Sequence, residues 1–118
     1  MPKQPRELLK ELNDGSVKLS KVFPQCTAAF SGLGTAALKP GALDLKTKEL
    51  ISAALGVAAR CEYCIVHHVY EAYKAGATRK ELLETACVAT FMGGGPNLTY
   101  SATLFLDSIN EFAKDFSK

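Results

Sequence analysis

Residues 45–59 carry Leu50, Ile51, Ala53, Ala54, Leu55, Val57, Ala58 and Ala59, apolar side chains that point in nearly every direction around a helix. A helix that is apolar all round has to be covered on all sides. No run of alternating β-branched residues offers a sheet to cover it. The cover must come from other helices, and a chain of 118 residues has few to spare. The pattern predicts an all-α fold, a bundle of about six helices with this segment inside it. It also predicts that another subunit completes the cover.

The other helices follow from their start and stop signals. Residues 6–13 form a short amphipathic helix with Leu8, Leu9 and Leu12, stopped by Asn13-Asp14-Gly15. Ser16 caps a turn or two as far as Phe23, and Pro24 opens a helix through about Leu38. Gly32 and Gly34 weaken that helix or let another backbone approach closely. Lys39-Pro40-Gly41 is a break, and Asp44 is placed to cap the apolar helix. After a corner at residues 60–62, a fourth helix spans about 61–74 and ends at Gly76. Thr78-Arg79-Lys80-Glu81 matches a capping box and starts a fifth helix that ends at Gly93-Gly94-Gly95. Pro96 starts the last helix, where Leu98, Ala102, Phe105, Ile109, Phe112 and Phe116 form a packing seam. A single domain over residues 1–118 accounts for all of this.

Fourteen basic and twelve acidic residues, well interspersed, leave a net charge of +2. No basic tract suggests nucleic acid, and no charge run suggests a membrane surface. No apolar run reaches the ~18 residues of a membrane span, and residues 1–10 lack a signal-peptide core, so a cytoplasmic location is expected. Cys26 and Cys87 stand alone among small or apolar residues and are expected to be core side chains.

Chemistry concentrates in Cys61-Glu62-Tyr63-Cys64-Ile65-Val66-His67-His68. On a helix, Cys61, Cys64 and His68 stand at i, i+3 and i+7, which is one stripe of the surface. The imidazole can take a proton from one sulfur, and the neighbouring sulfur can close a disulfide. Both cysteines fall at the helix N-terminus, whose partial positive charge stabilises a thiolate. Thioredoxin-like sites usually expose the first cysteine as the nucleophile. Here His68 is one turn beyond Cys64, which argues that Cys64 attacks and Cys61 resolves. Glu49 lies about ten residues before the corner, some 15 Å back at roughly 1.5 Å per residue. In an antiparallel hairpin it comes level with His68 within about a turn. There it can orient the ring as the third member of a triad does, or take a proton from Cys61 through a water. His67 points about 100° away from His68 and reads as a surface or subunit-contact residue. Tyr63 is expected to line the site or an interface.

Glu49, eleven further residues, and Cys61-x-x-Cys64-x-x-x-His68 resemble the core motif of the alkylhydroperoxidase D-like branch of the carboxymuconolactone decarboxylase family. Leu43-Asp44-Leu45-Lys46-Thr47-Lys48-Glu49-Leu50 and Glu71-Ala72-x-x-Ala75-Gly76-Ala77 extend the likeness, which is good over about residues 40–95 and loose before residue 35. The resemblance implies an all-helical fold, homo-oligomers (trimers or hexamers) and thiol-based reduction of hydroperoxides. It implies that Cys64 attacks the peroxide, Cys61 closes the disulfide, and His68 and Glu49 relay protons. Electrons then return from a dithiol donor, in some members a lipoyl group on a partner protein, and no cofactor is bound. Family members can carry a second relay histidine between the cysteines. Here that position is Tyr63, which shortens the relay.

The same residues admit other readings. The same fold serves lyases acting on carboxylated lactones, with Glu49 and His68 as the acid–base pair and no need of the thiols. The cysteine pair would also suit a general disulfide reductase or a non-catalytic redox sensor. A zinc site from Cys61, Cys64, His68 and either His67 or Glu49 is a further reading, against which stands that structural zinc sites usually gather ligands from two separate segments. Gly93-Gly94-Gly95-Pro96 lacks the Gly-Lys-Ser/Thr ending of a phosphate loop and follows no strand.

Overall fold

A computed structural model describes residues 3–117. It is all-α, with no strand among the described residues. The helices are α1 (Pro5–Val22), α2 (Pro24–Leu38), α3 (Leu45–Ala58), α4 (Glu62–Lys74), α5 (Arg79–Gly93), α6 (Gly95–Tyr100) and α7 (Leu106–Phe116). A π-helical turn, Ser101–Phe105, joins α6 to α7 without a break, so the path has six helical rods. No described helix is long and apolar enough to cross a membrane.

The helix α4 is central. Its Ile65, Val66, Val69 and Ala72 are fully buried against Ala53 and Val57 of α3, Leu82 of α5, and Phe105, Ile109 and Phe112 of the last rod. Tyr70 meets Phe112 and Phe116 edge-on at 5.3 and 5.1 Å, and the Tyr73 hydroxyl donates to the Ile109 carbonyl at 2.8 Å. These contacts fix the far end of α4 against α7. Arg6 ties α1 to the same rod, donating to Glu111 at 2.7 Å and Asp115 at 2.8 Å.

Several local signals act as expected. The Asp44 carboxylate accepts from the Thr47 N–H at 2.8 Å. Thr78 and Glu81 form the reciprocal capping box, at 3.1 and 2.9 Å. Gly76 ends α4 with a φ of 99°. The break after Leu38 is held by Lys48, whose ammonium donates to the Ala37 carbonyl at 2.9 Å and the Lys39 carbonyl at 2.6 Å. A cation there satisfies carbonyls left open at the end of α2.

Three expectations are corrected. Asn13-Asp14-Gly15 does not stop α1, which continues to Val22, and Ser16 caps nothing. Lys10 bridges Asp14 one turn on at 2.6 Å, and a helical glycine costs only about 1 kcal/mol. The stop falls at Phe23, where Pro24 forces a new start. Second, Cys26 and Cys87 are exposed rather than core. Apolar neighbours in sequence misled because no residue of α2 is buried and the outer face of α5 (Val88, Phe91, Met92) is open.

The third correction concerns the seam of the last helix, which holds at Phe105, Ile109 and Phe112 but fails before them. A π turn takes in roughly one extra residue. The phase slips, so Asn97 and Ser101 face inward while Leu98 and Ala102 face out. Gly32 and Gly34 stay helical, with nothing within 4 Å of a side chain built on either, so they permit no close approach inside this chain. The apolar helix α3 buries Ala53, Gly56 and Val57 and leaves Ile51 and Leu55 exposed, so the chain alone covers only part of it.

Candidate active site

The site forms where α3 turns back into α4. The Cys61 N–H donates to the Gly56 carbonyl at 3.0 Å, and the Arg60 N–H to the Val57 carbonyl at 3.0 Å. This paired closure is the Schellman way of ending a helix, and it needs a left-handed residue in between. Arg60 fills that place with a φ of 53°. Glycine is the usual occupant, so the corner carries backbone strain beside the first cysteine.

Cys61 then caps α4. Its sulfur accepts from the Cys64 N–H at 3.1 Å, and the two cysteines are joined in a disulfide with Cα atoms 5.2 Å apart. The N-terminal turn of α4 directs its open N–H groups and positive dipole end at this pair. Both cysteines are half-buried.

Glu49 and His68 meet directly. The Nδ1 of His68 lies 2.7 Å from Oε1 of Glu49. The carboxylate is 3% exposed, and no acidic residue occupies the first turn of α3. Attraction to the start of the helix therefore does not account for its position. An ionised carboxylate only accepts, so Nδ1 is the donor of this bond and Nε2 is left as the basic atom of the ring. Among the described residues, His68 makes no hydrogen bond to either sulfur of the oxidised pair.

All four residues singled out by spacing are thus brought to one corner of the fold: Cys61, Cys64 and His68 along α4, and Glu49 facing them from α3. His67 is only half-exposed and lines a cleft of about 510 Å³ between α1 and α4, with Arg6, Lys10, Tyr70 and Lys74. Its ring stands edge-on to that of His68 at 4.8 Å, and burial first, then His68, push its pKa down. Tyr63 is exposed, and its hydroxyl donates to Glu11 of α1 at 2.8 Å. Among the described residues no group of three or more His, Cys, Asp and Glu is arranged to hold a metal ion. Sequence reasoning missed Gly56, which lies against Cys64. The signal was there, a lone glycine in an alanine- and leucine-rich helix one turn before the corner.

The model of the carboxymuconolactone decarboxylase family matches residues 24–107, well over half of the chain. The chain belongs to the carboxymuconolactone decarboxylase family. The match takes in α2 and runs into α7, beyond the segment where the sequence resemblance was good. Among solved structures, a carboxymuconolactone decarboxylase family protein of Legionella pneumophila in its apo form is 44% identical, with a TM-score of 0.84 over 97% of each chain. A family protein of Thermotoga maritima, for which a part in an antioxidative response has been suggested, is 28% identical. It aligns over 92% of this chain and 94% of its own, with a TM-score of 0.75. An uncharacterised protein of Cupriavidus necator is 36% identical over 104 residues, 86% of this chain and 92% of its own length.

Proposed function

We propose that this family member is a thiol-dependent peroxidase. The observation that carries the reading is the Cys61–Cys64 disulfide at the N-terminus of α4, with a buried Glu49 on α3 paired to a half-buried His68 on α4. The antioxidative role suggested for the Thermotoga relative agrees with it.

In this scheme the Cys64 thiolate attacks one oxygen of a hydroperoxide and the O–O bond breaks. The alkoxide takes a proton delivered by the His68 ring and leaves as an alcohol, and Cys64 becomes a sulfenic acid. Cys61 then gives its proton to the His68 ring and attacks that sulfur. The S–S bond forms as the S–O bond breaks, and the departing hydroxide takes the proton from the ring and leaves as water. Two electrons pass from the thiol pair to the peroxide. A dithiol donor returns them by exchange and becomes a disulfide itself; a lipoyl group on a partner protein has suitable chemistry. Glu49 holds the ring by Nδ1 and stabilises the imidazolium, so that Nε2 handles the proton. Once the pair is reduced, the Cys64 N–H favours charge on the Cys61 sulfur, which suits a resolving thiolate. Self-association into a trimer or hexamer fits the open apolar faces of α2, α3 and α5. Sedimentation at the mass of one copy would remove that part of the reading.

The decisive experiment adds one equivalent of an organic hydroperoxide to reduced protein and follows intact mass with thiol trapping. Loss of two hydrogens with a mapped Cys61–Cys64 bond is the expected result, and two free, reactive thiols would refute peroxide reduction. Glu49→Gln keeps a hydrogen-bond acceptor but removes the charge that steadies the imidazolium. Its kcat/KM for peroxide is expected to fall about 10²-fold, with a displaced pH profile and an unchanged helical spectrum.

A second reading has its own support. A buried carboxylate on an imidazole is an acid–base pair without any sulfur, as a lactone-directed lyase would need. That reading requires activity to survive in a chain with both Cys61→Ser and Cys64→Ser.

A further inference from the structure

Gly56 is buried in the last turns of α3, inside a helix where alanine would be favoured by about 1 kcal/mol. Something must compensate for its presence, and its surroundings show what. A Cβ built on Gly56 would lie 3.2 Å from the Cβ of Cys64, 3.3 Å from the Ile65 nitrogen and 3.4 Å from the Cys64 carbonyl carbon. The first two are tighter than ordinary contacts and the third lies at their lower edge, and the atoms met are Cβ and backbone, not the loose end of a side chain. The first turn of α4 would have to move. The carbonyl of the same residue accepts the Cys61 N–H at 3.0 Å. Gly56 therefore holds Cys61 by a hydrogen bond and admits Cys64 by having no side chain.

From this we infer that Gly56 is a positioning residue for the redox pair, setting the poise of the Cys61–Cys64 disulfide. A methyl here displaces Cys64 from α3 while Cys61 stays tied to the Gly56 carbonyl. The bonded form must absorb that displacement across the disulfide. The dithiol form has no bond between the sulfurs and relaxes. The oxidised state is thus penalised more than the reduced one, and the pair becomes easier to reduce. The argument rests on the redox role of the pair but not on peroxide as its oxidant.

The test is equilibration of wild type and Gly56→Ala with dithiothreitol and its cyclic disulfide, quenched and read by intact mass. Exchange transfers two electrons and two protons between the two dithiol–disulfide couples, so no other reagent is needed. The equilibrium is expected to shift about tenfold toward protein thiols, about 30 mV for a two-electron couple. Gly34→Ala, in α2 with nothing within 4 Å of the new Cβ, should leave it unchanged. Thermal unfolding of both oxidation states gives an independent reading, in which the variant loses more stability when oxidised than when reduced. Equal losses in both states, an unshifted equilibrium, or failure of the variant to fold even when reduced would each overturn the inference and leave Gly56 a packing residue. A wild-type chain that never forms the disulfide would instead sink the peroxidase reading itself.

Discussion

Cys64→Ser is expected to abolish peroxide turnover, by about 10³-fold or more, while Cys61→Ser is expected to stop after one event. The two cysteines are not equivalent in the structure. Cys61 is the N-cap residue and receives the Cys64 N–H, whereas Cys64 lies within the first turn, one helical turn before His68. If Cys64 makes the attack, a serine there leaves a hydroxyl that is almost wholly protonated at neutral pH and a poor nucleophile for peroxide. With Cys61 replaced, Cys64 still reaches the sulfenic acid, but no neighbouring thiolate closes the disulfide. Trapping with a sulfenate-selective reagent should label Cys64 once per chain in Cys61→Ser and nothing in Cys64→Ser. Steady-state peroxide consumption with a dithiol donor should be lost in both. The reverse pattern, with the label on Cys61 and a single event in Cys64→Ser, would exchange the two roles.

The largest stability effect is expected at Gly93, far from the sulfurs in sequence. A Cβ built on Gly93 would overlap the side-chain amide of Asn97, which is buried and donates to the Ala89 carbonyl at 2.8 Å. Gly93→Ala must therefore push that amide aside. Overpacking costs about 1–3 kcal/mol, and a buried amide that loses its partner about 1–3 kcal/mol more. A total of about 2–6 kcal/mol is expected, a fall of roughly 8–24 °C in Tm for a chain near this size. Chemical denaturation with an unchanged slope would show a pure stability loss. If the contact with Asn97 is the cause, Asn97→Ser in the Gly93→Ala background should recover part of it. Equal stability of wild type and Gly93→Ala would mean that the α5–α6 corner has room the structure does not display.

Much of the site was legible because its determinants are local. Helical spacing alone put Cys61, Cys64 and His68 on one stripe. Residue rise, counted from both sides of the corner, brought Glu49 level with His68, and the two meet at 2.7 Å. The caps at Asp44, Thr78 and Gly76 were equally readable, since each is a bond or a dihedral within a few residues. The errors arose where a local signal competed with something longer-ranged. Asn13-Asp14-Gly15 looks like a stop, but a helix already held by Arg6 and Leu8 against α7 and the core carries through it. The π turn has no signature in the apolar spacing, so the phase of Leu98 and Ala102 could not be foreseen. Cys26 and Cys87 lie among apolar residues because those faces are apolar, and that composition cannot tell which chain covers a face.

Lys48 and Glu49 are consecutive residues that serve different parts of the molecule. Lys48 reaches back to the last carbonyls of α2, and Glu49 reaches forward to the ring of His68. A single turn of α3 thus connects an arm that has nothing buried to the carboxylate behind the cysteine pair. Whatever seats that arm also braces the turn that carries Glu49. If the proposed self-association is what seats the arm, the proposed activity becomes a property of concentration as well as of chemistry, lower in dilute solution than in concentrated.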